Sequence, residues 1–241
     1  MNVKGKTVLI TGGTKGIGYG IAEILLRAGM KVAITSRSQS AADKAVAQLT
    51  VDTGTDHIIG IAADVRDLMS QKQAVEQLVN KWGQLDVLVA NAGVGHFASI
   101  QEMTPQQWQD TIDVNLTGVF NSVKAGIEAL ATSKGYLITI ASLAGTNFFA
   151  KGAAYNASKF GLVGFTQAVM LDLRQSGIKT TTIMPGSVAT YFNNHQPDAE
   201  KDAWKIQPED IGQMVLDLLN MPARTLPSKV EVRPSMPPSR G

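Results

Sequence analysis

Apolar residues along this chain follow two alternating patterns. Short, nearly unbroken apolar runs are separated by longer stretches in which apolar positions recur every three or four residues. The runs at 6–11, 31–36, 57–63, 85–90, 135–141, 180–184 and 229–233 read as strands buried on both faces. The stretches at 21–29, 40–50, 67–82, from Thr104 into the 120s, 152–175 and 207–220 read as amphipathic helices. Strand and helix alternate throughout, which predicts an α/β fold: one doubly wound parallel sheet of about seven strands with helices on both faces. No internal repeat, low-complexity segment or linker interrupts the pattern, so residues 1–241 read as a single domain.

Composition narrows the chemistry. With 44% hydrophobic and 17% charged residues, the chain can bury a large core. The absence of cysteine excludes disulfides and thiolate chemistry, and His57, His96 and His195 show no metal-ligand spacing. No apolar run reaches the roughly 20 residues that span a bilayer, and the N-terminus lacks a signal-peptide pattern. A cytoplasmic protein without a membrane partner is expected. A net charge of +2 is too small to argue for nucleic acid; residues 222–241, with Arg224, Lys229, Arg233 and Arg240 against Glu231, carry +3 and the remainder −1.

Three stretches carry chemistry. The first runs from Ser142, at the end of a predicted strand, to Tyr155 and Lys159 at the start of a long helical pattern. Spacing by four places the phenol and the ammonium on one helix face, where the cation is expected to lower the tyrosine pKa from about 10. A serine hydroxyl beside them suits proton transfer to or from a carbonyl oxygen. The second is Thr11-Gly12-x-x-x-Gly16-x-Gly18 between the first strand and helix, with Thr14, Lys15 and Ile17 in the turn. Glycines there let the backbone approach a pyrophosphate at the helix N-terminus. The third is Ser36-Arg37-Ser38 after the second strand, where a nucleotide fold meets the adenosine ribose. No carboxylate follows until Asp43, and Arg37 can grip a phosphate, so NADP(H) is expected over NAD.

Other positions allow two readings each. Asp64, followed by Val65 at the end of the third strand, either accepts from an adenine amine or caps the next helix. Asn115 interrupts an apolar stripe and is either a structural tie or part of a polar relay. His96 is either a substrate contact or an ordinary surface histidine. Asn91-Ala92-Gly93 after the fourth strand offers small residues on which a cofactor can lie. The irregular stretch 191–206 reads as a lid.

Taken together, these motifs, with Pro185-Gly186 and Thr190, resemble the short-chain dehydrogenases/reductases in order and spacing, from about residue 5 to 220. The resemblance implies a Rossmann-like fold in which residues 1–140 bind the cofactor and residues 141–241 carry catalysis. It implies that Tyr155 is the general acid in reduction, that Lys159 lowers its pKa and holds the nicotinamide ribose, and that Ser142 orients the carbonyl. Asn115 would hold a relay water, Gly12, Gly16 and Gly18 would form the pyrophosphate turn, and Thr190 would lie near the nicotinamide amide, with Val188 in the same segment. It further implies a homodimer or homotetramer built on the long helices. The chain resembles 3-oxoacyl carrier-protein reductases, but its Arg233-Pro234 ending departs from their usual last strand. Segments 94–97 and 143–149, with Ser187, Tyr191 and Phe192, are mostly apolar, with Lys151 the one candidate cation. A neutral ketone or aldehyde is therefore favoured over a small keto acid. The readings kept beside this are a cofactor-binding sensor that has lost turnover and an NAD-linked alcohol dehydrogenase.

Overall fold

The structure, a computed structural model, describes residues 3–237. Seven strands form one sheet: β1 (Thr7–Ile10), β2 (Lys31–Ser36), β3 (Ile58–Ala62), β4 (Val87–Ala90), β5 (Tyr136–Ile140), β6 (Lys179–Pro185) and β7 (Lys229–Val232). Their order is β3-β2-β1-β4-β5-β6-β7, and every pairing is parallel. The connections are helices α1 (Gly16–Arg27), α2 (Gln39–Thr53), α3 (Leu68–Trp82), α4 (Pro105–Ile112), α5 (Gly118–Ser133), α6 (Ala153–Leu173) and α7 (Pro208–Asn220). The Rossmann-like doubly wound sheet expected from the apolar pattern is thus the observed architecture. The basic tail residue Arg240 lies outside the described residues.

Alternation along the strands divides the core in two. Val8, Ile10, Val32, Ile34, Val87 and Val89 point to the face covered by α1, α2 and α7, where Leu25, Leu49 and Val215 are fully buried. Leu9, Ala33, Leu88 and Leu137 point to the opposite face, against Leu78 of α3, Val123 of α5 and Leu162 of α6. Each such aliphatic side chain removed from water contributes about 1.5–3 kcal/mol.

The helix starts are written locally. Ser38 and Asp67 cap α2 and α3 by accepting from the backbone N–H groups of Ala41 and Met69. Thr104 with Gln107, and Gln207 with Asp210, form capping boxes at α4 and α7, each followed by proline at the first helical position. One predicted helix proves to be two. Between α4 and α5, residues Asp113–Thr117 form a π-helical turn around Asn115, a distortion that recurs at functional sites. Among the described residues no helix is long and apolar enough to cross a membrane.

Helices α1 and α7 cross at glycines. A Cβ added to Gly20 would stand 2.5 Å from the Pro208 carbonyl carbon, and one added to Gly212 2.6 Å from the Gly20 oxygen. Gly20→Ala gains about 1 kcal/mol of helix propensity but meets backbone that cannot rotate away, an overpacking cost of about 1–3 kcal/mol. Gly164 of α6 meets nothing within 4 Å. Thermal unfolding should therefore show Gly20→Ala less stable than the parent and Gly164→Ala equal or more stable, at about 2–4 °C per kcal/mol. The reverse order would refute the packing argument.

Candidate active site

The carboxyl ends of β1, β2, β4, β5 and β6 surround a continuous cavity of about 580 Å³. At one end lies the turn Gly12–Ile17. Gly12 and Gly16 adopt left-handed φ of 65° and 56°, and a Cβ on Gly12 would sit 3.0 Å from the Ala92 backbone. Gly18 does not reach the cavity; it packs beneath the turn, where a Cβ would stand 2.5 Å from the Gly12 oxygen. Asn91 ties the two strand ends together, its amide donating to the Thr11 and Gly12 carbonyls at 2.9 and 3.1 Å. Ala92 and Gly93 continue the wall.

Ser36 and Arg37 line the neighbouring end, and the Arg37 guanidinium makes no hydrogen bond or ion pair with the described residues. Ser38 is elsewhere: it is spent on the α2 cap. Asp64 lines the cavity with Val65 and is not the cap of α3, which is Asp67. Arg66 grips the Asp64 carboxylate at 2.6 Å, and that hydrogen bond holds its pKa below the usual carboxylate range.

At the other end Ser142, Tyr155 and Lys159 converge from two elements. Ser142 leaves β5 and caps the short turn Leu143–Gly145. Tyr155 and Lys159 share one face of α6. Lys159 is buried; its Nζ donates to the Ile140 carbonyl at 3.0 Å and stands 5.8 Å from the Tyr155 ring centroid. Desolvation pushes the ammonium down to about 8 from 10.5. Burial also pushes the Tyr155 phenol up, with the Ser142 hydroxyl pulling the other way. This differs from the lowering expected from the four-residue spacing. The spacing set the cation near the phenol, but burial dominates and the ammonium is directed at a carbonyl.

Asn115 is fully buried beside this group and does not line the cavity. Its side chain accepts from Val94 N–H at 2.8 Å, donates to Val94 oxygen at 2.9 Å and to Ser158 Oγ at 3.1 Å. Those bonds make its side chain a tie that pins the loop after β4. His96 pairs with Asp110 at 2.9 Å and is not on the cavity wall; neither is Lys151.

Pro185, Gly186, Val188 and Thr190 form the far wall, with Thr190 Cγ2 where it would touch a Cβ on Gly16 at 3.2 Å. From the irregular segment beyond, Tyr191, Phe192, His195 and Lys205 also face the cavity. Sequence patterning does not reveal His195 and Lys205 as cavity residues. Their shared anchor, buried Asp202, accepts from Lys205 Nζ at 2.6 Å and from His195 Nε2 at 2.5 Å. Lys205 and His195 hold that carboxyl below its usual range. The one local signal is the capping box at Gln207, which fixes where the segment must return.

A family model described as short chain dehydrogenase matches residues 6–201. The chain belongs to that family. It is an oxidoreductase of the short-chain dehydrogenases, which bind a nicotinamide cofactor and act on small molecules. An uncharacterized oxidoreductase of Staphylococcus saprophyticus is 31% identical over 97% of this chain and 99% of its own length. The 3-oxoacyl-acyl-carrier-protein reductase of Escherichia coli is 34% identical over 83% of this chain and 81% of its own. An alcohol dehydrogenase from the archaeon Thermococcus sibiricus, solved with 5-hydroxy-NADP, superposes with a TM-score of 0.90 at 26% identity, covering 98% of this chain and 100% of that one. In this dehydrogenase the residues at hand fit a dinucleotide: at Gly12 and Gly16 the left-handed backbone and close neighbours disfavour any side chain, which leaves bare backbone facing the cavity. Thr35 Oγ1, buried on the cavity wall, also lacks a hydrogen-bond partner among the described residues.

The buried ammonium generates a stability prediction. Between pH 8 and 10.5 the unfolded chain holds the Lys159 proton and the folded one does not. Stability contributed by this group therefore rises with pH across that window, by about 3 kcal/mol in all, and below pH 8 its burial is a standing cost. Lys159→Met should raise the Tm at pH 7 and flatten the dependence between pH 8 and 10.5. An unchanged pH profile would show that the ammonium is not buried.

Proposed function

We propose that this dehydrogenase is an NADP(H)-dependent carbonyl reductase that reduces a ketone or aldehyde to an alcohol, with Tyr155 as proton donor. The observation that carries the reading is the convergence of Tyr155, Ser142 and Lys159 at one end of a cavity whose other end is a glycine turn and an unpaired arginine. The cofactor, when bound, supplies the hydride. Ser142 holds the carbonyl oxygen, and Tyr155, a phenol whose pKa burial raises further, delivers the proton as that oxygen gains charge. Lys159 stabilises the resulting phenolate and holds the nicotinamide ribose, while Asn115 keeps the loop after β4 in place and supports the proton relay. In oxidation Tyr155 acts as the base.

Gly12, Gly16 and Gly18 shape the pyrophosphate turn, with Thr14, Lys15 and Ile17 around it. Asn91, Ala92 and Gly93 border the nicotinamide ribose, and Pro185, Gly186, Val188 and Thr190 border the nicotinamide. Arg37, flanked by Ser36 and Ser38, takes the 2′-phosphate, and Asp64 and Val65 border the adenine. The preference for NADP(H) is supported by the absence of any acid at 36–38 and by Arg66, which neutralises the nearby Asp64. The 5-hydroxy-NADP carried by the Thermococcus relative agrees with it. The whole chain acts as one unit, with residues 1–140 holding the cofactor and 141–241 supplying catalysis. Lys205, the cation that the irregular segment brings to the cavity, is paired with Asp202 at 2.6 Å, so a neutral substrate is favoured over a keto acid.

The test is NADPH oxidation against a carbonyl panel containing a β-ketoacyl thioester, a β-keto ester, an α-diketone, an aromatic aldehyde and a keto acid. Tyr155→Phe should lower kcat/KM by about 10²–10⁴. Arg37→Ala should weaken NADPH about 10–100-fold while leaving NADH unchanged. The rate should be level through neutral pH and fall above about 8, where Lys159 gives up its charge. Turnover surviving in Tyr155→Phe, or equal effects on both cofactors in Arg37→Ala, would defeat the assignment.

A homodimer or homotetramer belongs to the same reading. Phe120 of α5 and Phe165 of α6 meet edge-to-face at 6.4 Å on the outer surface. On the same two helices Phe120, Phe160 and Leu171 are 46%, 43% and 57% exposed, apolar surface that a second copy of the chain would cover. Sedimentation should find a dimer or larger for the parent chain and a monomer for Phe120→Asp combined with Phe160→Asp. A monomeric parent would end that proposal.

A further inference from the structure

Tyr155 and Phe192 line the substrate end of the cavity, and they belong to a cluster of four aromatic rings with Phe97 and Phe149. The Phe97 centroid lies 5.4 Å from that of Tyr155, 5.7 Å from Phe149 and 6.2 Å from Phe192, each pair edge-to-face. Phe192 itself is 5.5 Å from Tyr155 and tilted against it. Three separate segments deliver these rings: the loop after β4, the loop before α6, and the irregular stretch after β6.

Two of the segments are tied close to the rings they carry; the third is tied away from its ring, through the Ala189–Ile206 pairing and the Asp202 carboxylate. Ala98 N–H donates to the Lys151 carbonyl at 3.0 Å, which joins the loops bearing Phe97 and Phe149. Asn156 of α6 then fixes the second loop, donating to the Ala144 and Asn147 carbonyls at 2.8 Å each and accepting from Phe149 N–H at 3.4 Å. Among the described residues Phe192 has only local bonds: its carbonyl accepts from His195 N–H at 3.2 Å. Its N–H reaches Thr190 Oγ1 at 3.3 Å, its neighbour Asn193 is in the left-handed region at φ 54°, and the ring rests on Phe97 and Tyr155 alone among aromatic neighbours. Gly95 makes room for it: a Cβ there would stand 2.6 Å from Phe192 Cζ. Phe97 and Phe149, held by these bonds, thus meet the Tyr155 phenol through Phe97, and Phe192, held by local bonds, leans on Phe97 and Tyr155.

We propose that Phe192 is a placeholder for the substrate, its ring standing against Phe97 and Tyr155 where a planar aromatic group attached to the substrate carbonyl binds. The inference rests on the carbonyl-reductase reading and names the substrate class within it: aryl ketones and aryl aldehydes. The physical ground is exchange of like for like. An aromatic substrate that moves Phe192 aside restores the two ring contacts it interrupts, one edge-to-face with Phe97 and one tilted against Tyr155, through the electrostatic match of ring edge to ring face. A saturated ring of the same size fills the same space without that match. The difference amounts to about tenfold in affinity for two such contacts.

The experiment compares benzamide with cyclohexanecarboxamide, whose carbonyls are not reduced, by calorimetry on the full chain saturated with NADP⁺. It is paired with kcat/KM for phenyl methyl ketone and cyclohexyl methyl ketone. The parent protein should prefer the aromatic member of each pair about tenfold. Phe97→Leu, which keeps an apolar side chain of similar size, should reduce the preference to less than about threefold, whereas Phe192→Leu, which removes only the displaced ring, should keep it and tighten both amides, with Tm confirming that both remain folded. Equal binding of the two amides, binding of neither, a preference unchanged in Phe97→Leu, or a preference lost in Phe192→Leu would overturn the proposal. An aromatic amide preference in a protein that reduces no ketone would uphold the ring subsite and count against carbonyl reduction alone.

Discussion

In an all-parallel sheet each strand must be followed by a crossover that returns the chain to the starting edge, so all strand carboxyl ends gather on one side. Where the winding reverses, two neighbouring crossovers leave in opposite directions and a crevice opens between them. Here that point lies between β1 and β4, and the cavity opens beside it. The glycine turn, the Asn91 tie, Ser142 and Thr190 all sit within a few residues of a strand's carboxyl end. None would share a cavity in another strand order. The cores on the two faces hold that order in place, because α1 and α7 cover one side and α5 and α6 the other.

On this frame the site is assembled against a cost. Lys159 is held in a desolvated position by a single carbonyl, and its pKa is pushed down to about 8. A buried cation of this kind is retained for what it does, since an apolar residue would be more stable there. The same desolvation pushes the Tyr155 phenol up. A phenol that stays protonated at rest, beside a cation able to stabilise its phenolate, suits the reduction proposed here, in which it would donate.

The segment between β6 and α7 has a different construction. It lacks regular backbone pairing apart from the single bridge between Val188 and Ile206. Its shape comes instead from side chains: Asp202 gathers His195 and Lys205, while Phe192 leans on Phe97 and Tyr155. Few backbone bonds hold such a segment, so it is drawn from the less stable regions of the molecule. That suits residues that must admit a substrate.

Much of this is legible in the chain itself. The seven strands, their helices and the doubly wound sheet follow from apolar periodicity, because strands buried on both faces and helices buried on one leave different repeats. The glycine turn and the pairing of Tyr155 with Lys159 are also local, spanning a few residues with fixed geometry. What lies beyond local spacing is decided by tertiary structure. Periodicity does not show that α4 and α5 are separated by a π-helical turn at Asn115. It does not show that Asp67 rather than Asp64 caps α3, or that burial reverses the expected shift of Tyr155. Nor does it bring His195, Lys205 and Phe192 to the cavity, since they lie in an aperiodic stretch. Spacing along a chain reports neighbours one turn apart; desolvation and loop placement depend on atoms that are distant in sequence and meet only when the whole fold closes.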